Sequence, residues 1–159
     1  MPILYLLFDL DGTLTDPAEG ITNCAQYALE KFGIYPSSRE ELYPYIGPPL
    51  VYSFMNFHGL SRDQAERAVV YYRERFSVIG WQENTVYNGM RELLDELKNK
   101  GLSLMVATSK PELFTHRILE YFDLKKYFTF IAASTMDEKR SEKADVIAYL
   151  LEKHPEINA

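Results

Sequence analysis

Two carboxylates stand one residue apart near the start of the chain, Asp9 and Asp11 in Phe8-Asp9-Leu10-Asp11-Gly12-Thr13-Leu14-Thr15. While the backbone is extended, a spacing of two points both side chains the same way. Gly12 then allows a sharp turn, and Thr13 and Thr15 add hydroxyls. Further along are Thr108-Ser109 and, after Arg140-Ser141-Glu142, Lys143. Two acids, hydroxyls and a cation form a coherent set for phosphoryl transfer. A carboxylate is a competent nucleophile toward phosphorus, and a second carboxyl group can protonate a leaving oxygen and later activate water. Hydroxyls, backbone N–H groups and a lysine can hold phosphoryl oxygens. Mg²⁺, a hard oxygen-seeking cation, suits the acid pair and would offset its repulsion of a phosphate.

The elements around these residues follow from hydrophobic pattern. Ile3 to Phe8 is an unbroken apolar run ending at the acids, which predicts a strand buried on both faces. Leu102 to Ala107 predicts a second strand ending at Thr108-Ser109, and Tyr127 to Ala133 a third ending at Ser134. Helices are expected at 112–122, with Leu113, Ile118, Leu119 and Phe122 inward, and at 142–153, capped by Ser141, with Ala144, Ile147, Leu150 and Leu151 inward. Another, capped by Asn88, places Met90, Leu93, Leu94 and Leu97 inward. Strand–helix alternation implies a parallel, doubly wound α/β core, and such sheets gather ligand-binding groups at the carboxyl ends of their strands. Residues 16–80 carry only helix and loop signals, including the capping box Ser61-Arg62-Asp63-Gln64. The expected organisation is an α/β core from residues 1–15 and 81–159 with an inserted α-helical cap over 16–80.

Composition narrows the class. The chain has 159 residues, 47% hydrophobic and 25% charged, with a net charge of −6. That acidity gives no footprint for nucleic acid. No apolar run approaches the roughly 20 residues of a membrane helix. The single cysteine, Cys24, excludes an internal disulfide and fits a reducing compartment. The expectations are a cytoplasmic protein with a small phosphorylated metabolite as partner, without nucleic acid or membrane.

The motifs resemble those of the haloacid dehalogenase superfamily, in its phosphoglycolate phosphatase-like branch with a helical cap. Asp9-Leu10-Asp11-Gly12-Thr13-Leu14 is similar to the first motif, Val106-Ala107-Thr108-Ser109-Lys110-Pro111 to the second, and Arg140-Ser141-Glu142-Lys143-Ala144-Asp145-Val146-Ile147 to the third. Ile46-Gly47-Pro48-Pro49-Leu50 resembles the branch's cap loop. The resemblance implies a Rossmann-like core and a Mg²⁺-dependent phosphatase for a small phosphomonoester, such as phosphoglycolate or a nucleoside monophosphate. It implies Asp9 as nucleophile and Asp11 as general acid and base. Gly12, Thr13, Thr108, Ser109 and Lys143 would bind substrate, and the Asp9 carboxylate and Asp11 carbonyl would bind Mg²⁺. Lys139 and Arg140 compete with Lys143 for the cation's place, and Lys110 reads as a loop cation near the site.

One departure is large. The fourth motif, a Gly-Asp with further acids, is not found after residue 16. The expectation is a truncated chain with an incomplete sheet, its opening strand left at an edge, and impaired turnover. A homodimer paired through that edge, a non-catalytic remnant that binds phosphate or a partner, and a phosphotransferase or mutase are the alternatives. A phosphoacceptor receiver domain fits less well, because here both acids lie on the first strand.

Overall fold

The computed structural model describes residues 4–137 and 139–158. In chain order the strands are β1 (Tyr5–Phe8), β2 (Thr15–Asp16), β3 (Thr85–Val86), β4 (Ser103–Pro111) and β5 (Phe130–Ser134). The helices are α1 (Ala18–Glu30), α2 (Leu50–His58), α3 (Arg62–Arg75), α4 (Met90–Asn99), α5 (Glu112–Tyr121) and α6 (Lys143–Lys153). The chain divides into two compact units, Met1–Thr15 with Val86–Ala159, and Asp16–Thr85.

The first unit is built on a parallel sheet in the order β1-β4-β5. Its register sets Phe8 opposite Val106 and Thr108 opposite Ala133. Parallel neighbours need a crossover, which α5 supplies between β4 and β5. Period-2 alternation divides the central strand between two faces. Met105 and Ala107 pack with Ala132, Val146 and Leu150, so α6 covers that face. Leu104 and Val106 on the other face are equally buried. The expected mixed α/β, Rossmann-like architecture is present.

β1 is an edge strand among the described residues, as expected. Several other local expectations change. β1 is only partly buried rather than covered on both faces, with Leu7 38% exposed. Ile3 lies outside the described residues. Tyr127 belongs to a single 3₁₀ turn, Lys125–Tyr127, so β5 starts later than its apolar run suggests. α6 begins at Lys143 with Glu142 at its N-cap and no capping side chain, in place of Ser141. Ala144 faces outward, and Val146 packs inward against the sheet. Leu93 and Leu113 are exposed, because the buried stripes are narrower than the apolar ones.

In the second unit, Ile21, Cys24, Ala25, Ala28 and Leu29 of α1 are buried. So are Phe54 of α2 and Ala65, Ala68, Val69 and Tyr72 of α3. α1 packs on α3, and α2 on α3. The Ser61–Gln64 capping box is present. This unit ends at Thr85 rather than Gly80. After α3 a π turn, Phe76–Gly80, folds back on α1. The Gly20 N–H donates to the Glu83 carbonyl at 2.9 Å, and Glu83 holds Arg75 at 2.6 and 2.9 Å. Tyr43 and Tyr52 are exposed. His58 is half-buried, with Nδ1 2.8 Å from the Tyr45 hydroxyl. No helix among the described residues is long and apolar enough to cross a membrane.

Candidate active site

The site is assembled where β1 ends beside β4. Phe8 and Val106 are the last register pair of these strands, so Asp9 leaves the sheet beside Ala107 while β4 runs on to Pro111. Beyond Asp9 the chain turns tightly. Gly12 adopts φ +79°, which an L side chain resists, and its N–H donates to the Thr15 carbonyl at 2.8 Å. The N–H groups of Thr13, Leu14 and Thr15 all donate to the Leu10 carbonyl, at 3.1, 2.9 and 3.2 Å. Gly12 and Thr13 are exposed, but their amides are thus committed to the loop itself. What they present outward is the Thr13 side chain and an open approach at Gly12.

Lys143, the first residue of α6, reaches this point. Its Nζ lies 2.8 Å from Asp9 Oδ1 and donates to the Ala107 carbonyl at 2.9 Å. Oδ1 also accepts the Leu10 N–H at 2.7 Å. Among the described residues, both of these contacts to the Asp9 carboxylate fall on Oδ1, and the side chain is 42% exposed. Oδ2 is therefore the oxygen left for an incoming group. Lys139 instead pairs with Asp137 at 3.2 Å. Arg140 lies over the Tyr149 ring at 3.7 Å and donates to the Ala133 carbonyl at 3.0 Å. Of the three cations weighed from sequence, Lys143 is the one on Asp9.

Asp11 faces a second lysine. Lys110 Nζ lies 2.7 Å from Asp11 Oδ2, with both side chains largely buried. Asp11 Oδ1 is buried and has no hydrogen-bond partner among the described residues. The sequence reading kept Lys110 near the site without a role. The signal for it lay in the topology, because residue 11 follows the carboxyl end of β1 and residue 110 lies at the carboxyl end of the neighbouring β4. Thr108 is 2% exposed, and its Oγ1 accepts the Lys110 N–H at 3.1 Å. Ser109 follows it, where the β4–β5 register shifts between Thr108 and Pro111.

Among the described residues no three His, Cys, Asp or Glu side chains converge as a metal cluster. Asp9 and Asp11 do supply hard oxygens. Mg²⁺ commonly takes one or two carboxylates, keeps several waters, and completes its shell with phosphate oxygens. The donor chemistry fits that ion.

A parallel sheet whose first strand ends in two acids, with a hydroxyl on the adjacent strand and a lysine from a later helix, defines a class of protein with an aspartate-centred site. The chain belongs to the haloacid dehalogenase-like hydrolases, whose family model it matches over residues 6–158. It is 46% identical over 147 residues to a 5'-nucleotidase of Pseudomonas aeruginosa, spanning 92% of this chain and 66% of that protein. It is 39% identical over 146 residues to the tyrosine-protein kinase PtkA of Mycobacterium tuberculosis, spanning 92% of this chain and 50% of that one. The crystal structure of a predicted phosphatase from Clostridium acetobutylicum superposes with a TM-score of 0.92 at 46% identity, covering 98% of this chain and 72% of that one. The chain thus spans between half and two thirds of the length of these two curated relatives.

Proposed function

We propose that this chain carries the catalytic centre of a phosphatase for small phosphomonoesters, working through an aspartyl-phosphate, with nucleoside monophosphates the substrate class to test first. The observation that carries the reading is the Asp9 carboxylate held on Oδ1 by Lys143 and the Leu10 N–H, with Oδ2 left open among the described residues. A nucleophile fixed on one oxygen and open on the other is pre-organised for attack. The 46% identity to a 5'-nucleotidase supports the substrate class, and phosphoglycolate is the other candidate.

In the first half-reaction Asp9 Oδ2 attacks phosphorus. The P–O bond to the leaving group breaks, and the leaving oxygen takes that electron pair and a proton from Asp11. In the second half-reaction water attacks the phosphorus of the aspartyl-phosphate, gives a proton to the Asp11 carboxylate, and releases inorganic phosphate and free Asp9. Lys143, tied to the Ala107 carbonyl, holds nucleophile and phosphoryl oxygen together. Thr108 and Ser109 line the phosphoryl side. The Asp9 carboxylate and the Asp11 carbonyl would hold Mg²⁺, which supplies charge neutralisation for the phosphate.

The likeness to PtkA favours one variant, in which the phosphoryl group passes to a protein hydroxyl rather than to water. The test is phosphate release from nucleoside 5'-monophosphates and phosphoglycolate, with Asp9→Asn as control. Phosphate release that needs Mg²⁺, stops with EDTA and disappears in Asp9→Asn supports hydrolysis. Release that survives Asp9→Asn removes the nucleophile assignment. Label appearing on a tyrosine-containing acceptor, in place of free phosphate, selects the transferase.

A further inference from the structure

The Lys110–Asp11 pair lacks an explanation in stability alone. Ordering a lysine side chain costs rotamer entropy. A buried ion pair is commonly no more stabilising than apolar residues of the same volume. Yet the Lys110 side chain is only 8% exposed and its ammonium sits 2.7 Å from Asp11 Oδ2. The local backbone is arranged to put it there. The β4–β5 register breaks after Thr108, the Lys110 N–H is tied to Thr108 Oγ1 at 3.1 Å, and its carbonyl accepts the Thr115 hydroxyl at 3.3 Å.

The two oxygens of Asp11 differ. Oδ1 is buried from solvent and has no hydrogen-bond partner among the described residues. The exposure that the side chain retains, 20%, is not on Oδ1. A carboxylate oxygen accepts at two positions, so Oδ2 can hold Lys110 at one and a proton at the other.

We propose that Lys110 is a positioning residue for proton transfer: it grips Asp11 Oδ2, keeps the carboxylate from rotating, and makes Oδ2 the oxygen that delivers the proton to the leaving group. Lys110 keeps its own proton throughout. As the P–O bond breaks, the proton on Oδ2 moves to the leaving oxygen, and Asp11 is left as the carboxylate paired with the ammonium. This rests on the phosphatase reading above.

The test uses the dependence on leaving group in the intact chain. An alkyl ester such as a nucleoside 5'-monophosphate needs a proton on its departing oxygen, whereas p-nitrophenyl phosphate departs without one. kcat/KM reports the phosphorylation half-reaction alone when that step is irreversible. In Lys110→Met the alkyl-to-aryl ratio of kcat/KM falls by about 10- to 100-fold, within the range of misplaced general acids. In Lys110→Arg, which keeps the charge, the ratio recovers part of that loss. Should Lys110→Met not fold, judged by circular dichroism, the Lys110→Arg ratio decides, with a smaller fall expected in the same direction. Equal losses on both esters, or no loss, overturn the proposal and leave the phosphatase reading standing. A wild-type chain that releases phosphate from neither ester overturns both.

Discussion

Lys143 makes two bonds that a surface lysine does not need, one to Asp9 and one to the Ala107 carbonyl. At 40% exposure it contributes little to stability, so its loss should be read in rate rather than in folding. Lys143→Ala is expected to lower kcat/KM about 100- to 1,000-fold, as the loss of one electrostatic contact to the transferring group does, with the denaturation midpoint unchanged. Lys143→Arg should recover little of the rate, because a planar fork does not reproduce one ammonium shared between a carboxylate and a carbonyl. Full activity in Lys143→Ala would remove the lysine from the site. Asp9 and Asp11 could be found from sequence because strand, spacing and turn residue are all local. Lys143 could not be separated from Lys139 and Arg140, because that choice depends on where α6 starts and no side chain caps it. Lys110 was obscured for a similar reason, since its direction is set by an irregularity in β4 that no residue type announces.

Elements are held in the second unit by contacts that sequence pattern alone misplaces. Gly80, the expected last residue of the cap, is a packing residue: a Cβ there would lie 2.4 Å from Cys24 Sγ. Gly20 is tighter still, since a Cβ would come within 2.0 Å of the Gly80 carbonyl oxygen and 2.9 Å of that of Glu83. Both neighbours are backbone, so Gly20→Ala must displace the π turn from α1. The expected loss is about 1–3 kcal/mol, the usual range for overpacking, measured by urea denaturation. Glu83 is linked to the same place, bonded to Arg75 and to Asn23 Nδ2 at 3.0 Å. Glu83→Gln removes a charge from a largely buried pair and should lose about 1.5–3 kcal/mol. Because Gly20 and Glu83 share the contact, the double variant should lose less than the sum of the two. Strict additivity would show that the turn is not held as the hydrogen bonds indicate. The helices themselves were legible, since the Ser61 capping box and the apolar stripes are local signals. The end of the unit was not, because a long-range backbone contact fixes it.

Over the whole molecule, the alternation of strands and helices was enough to define the α/β class. The pH range of stability depends instead on tertiary burial. Burial holds the His58 imidazole below its ordinary 6.5, with the Glu41 charge opposing. Burial also pushes the Tyr45 hydroxyl, its hydrogen-bond partner, far above its ordinary 10.0. For His58 the unfolded chain binds the proton more tightly, so its contribution is complete above about pH 6.5 and is lost as pH falls through the depressed folded value. For Tyr45 the unfolded chain loses its proton first, so stability is complete below about pH 10 and falls as pH rises beyond it. A second acid stage comes from carboxylates. The Arg75 hydrogen bonds hold Glu83 below its ordinary 4.5. Hydrogen bonds from Thr135 and Lys139 lower Asp137 to about 2. Their stabilisation is present above the unfolded values and is lost as pH falls through the folded ones. Asp137 is exposed, so its part is screened by salt. Thermal midpoints should therefore be level between about pH 7 and 9, decline in two stages on the acid side, and fall again above about pH 10. His58→Gln should remove the first acid stage and leave the second, whereas added salt should shrink only the second. A profile that His58→Gln leaves unaltered would show that the half-buried imidazole does not set the upper acid stage.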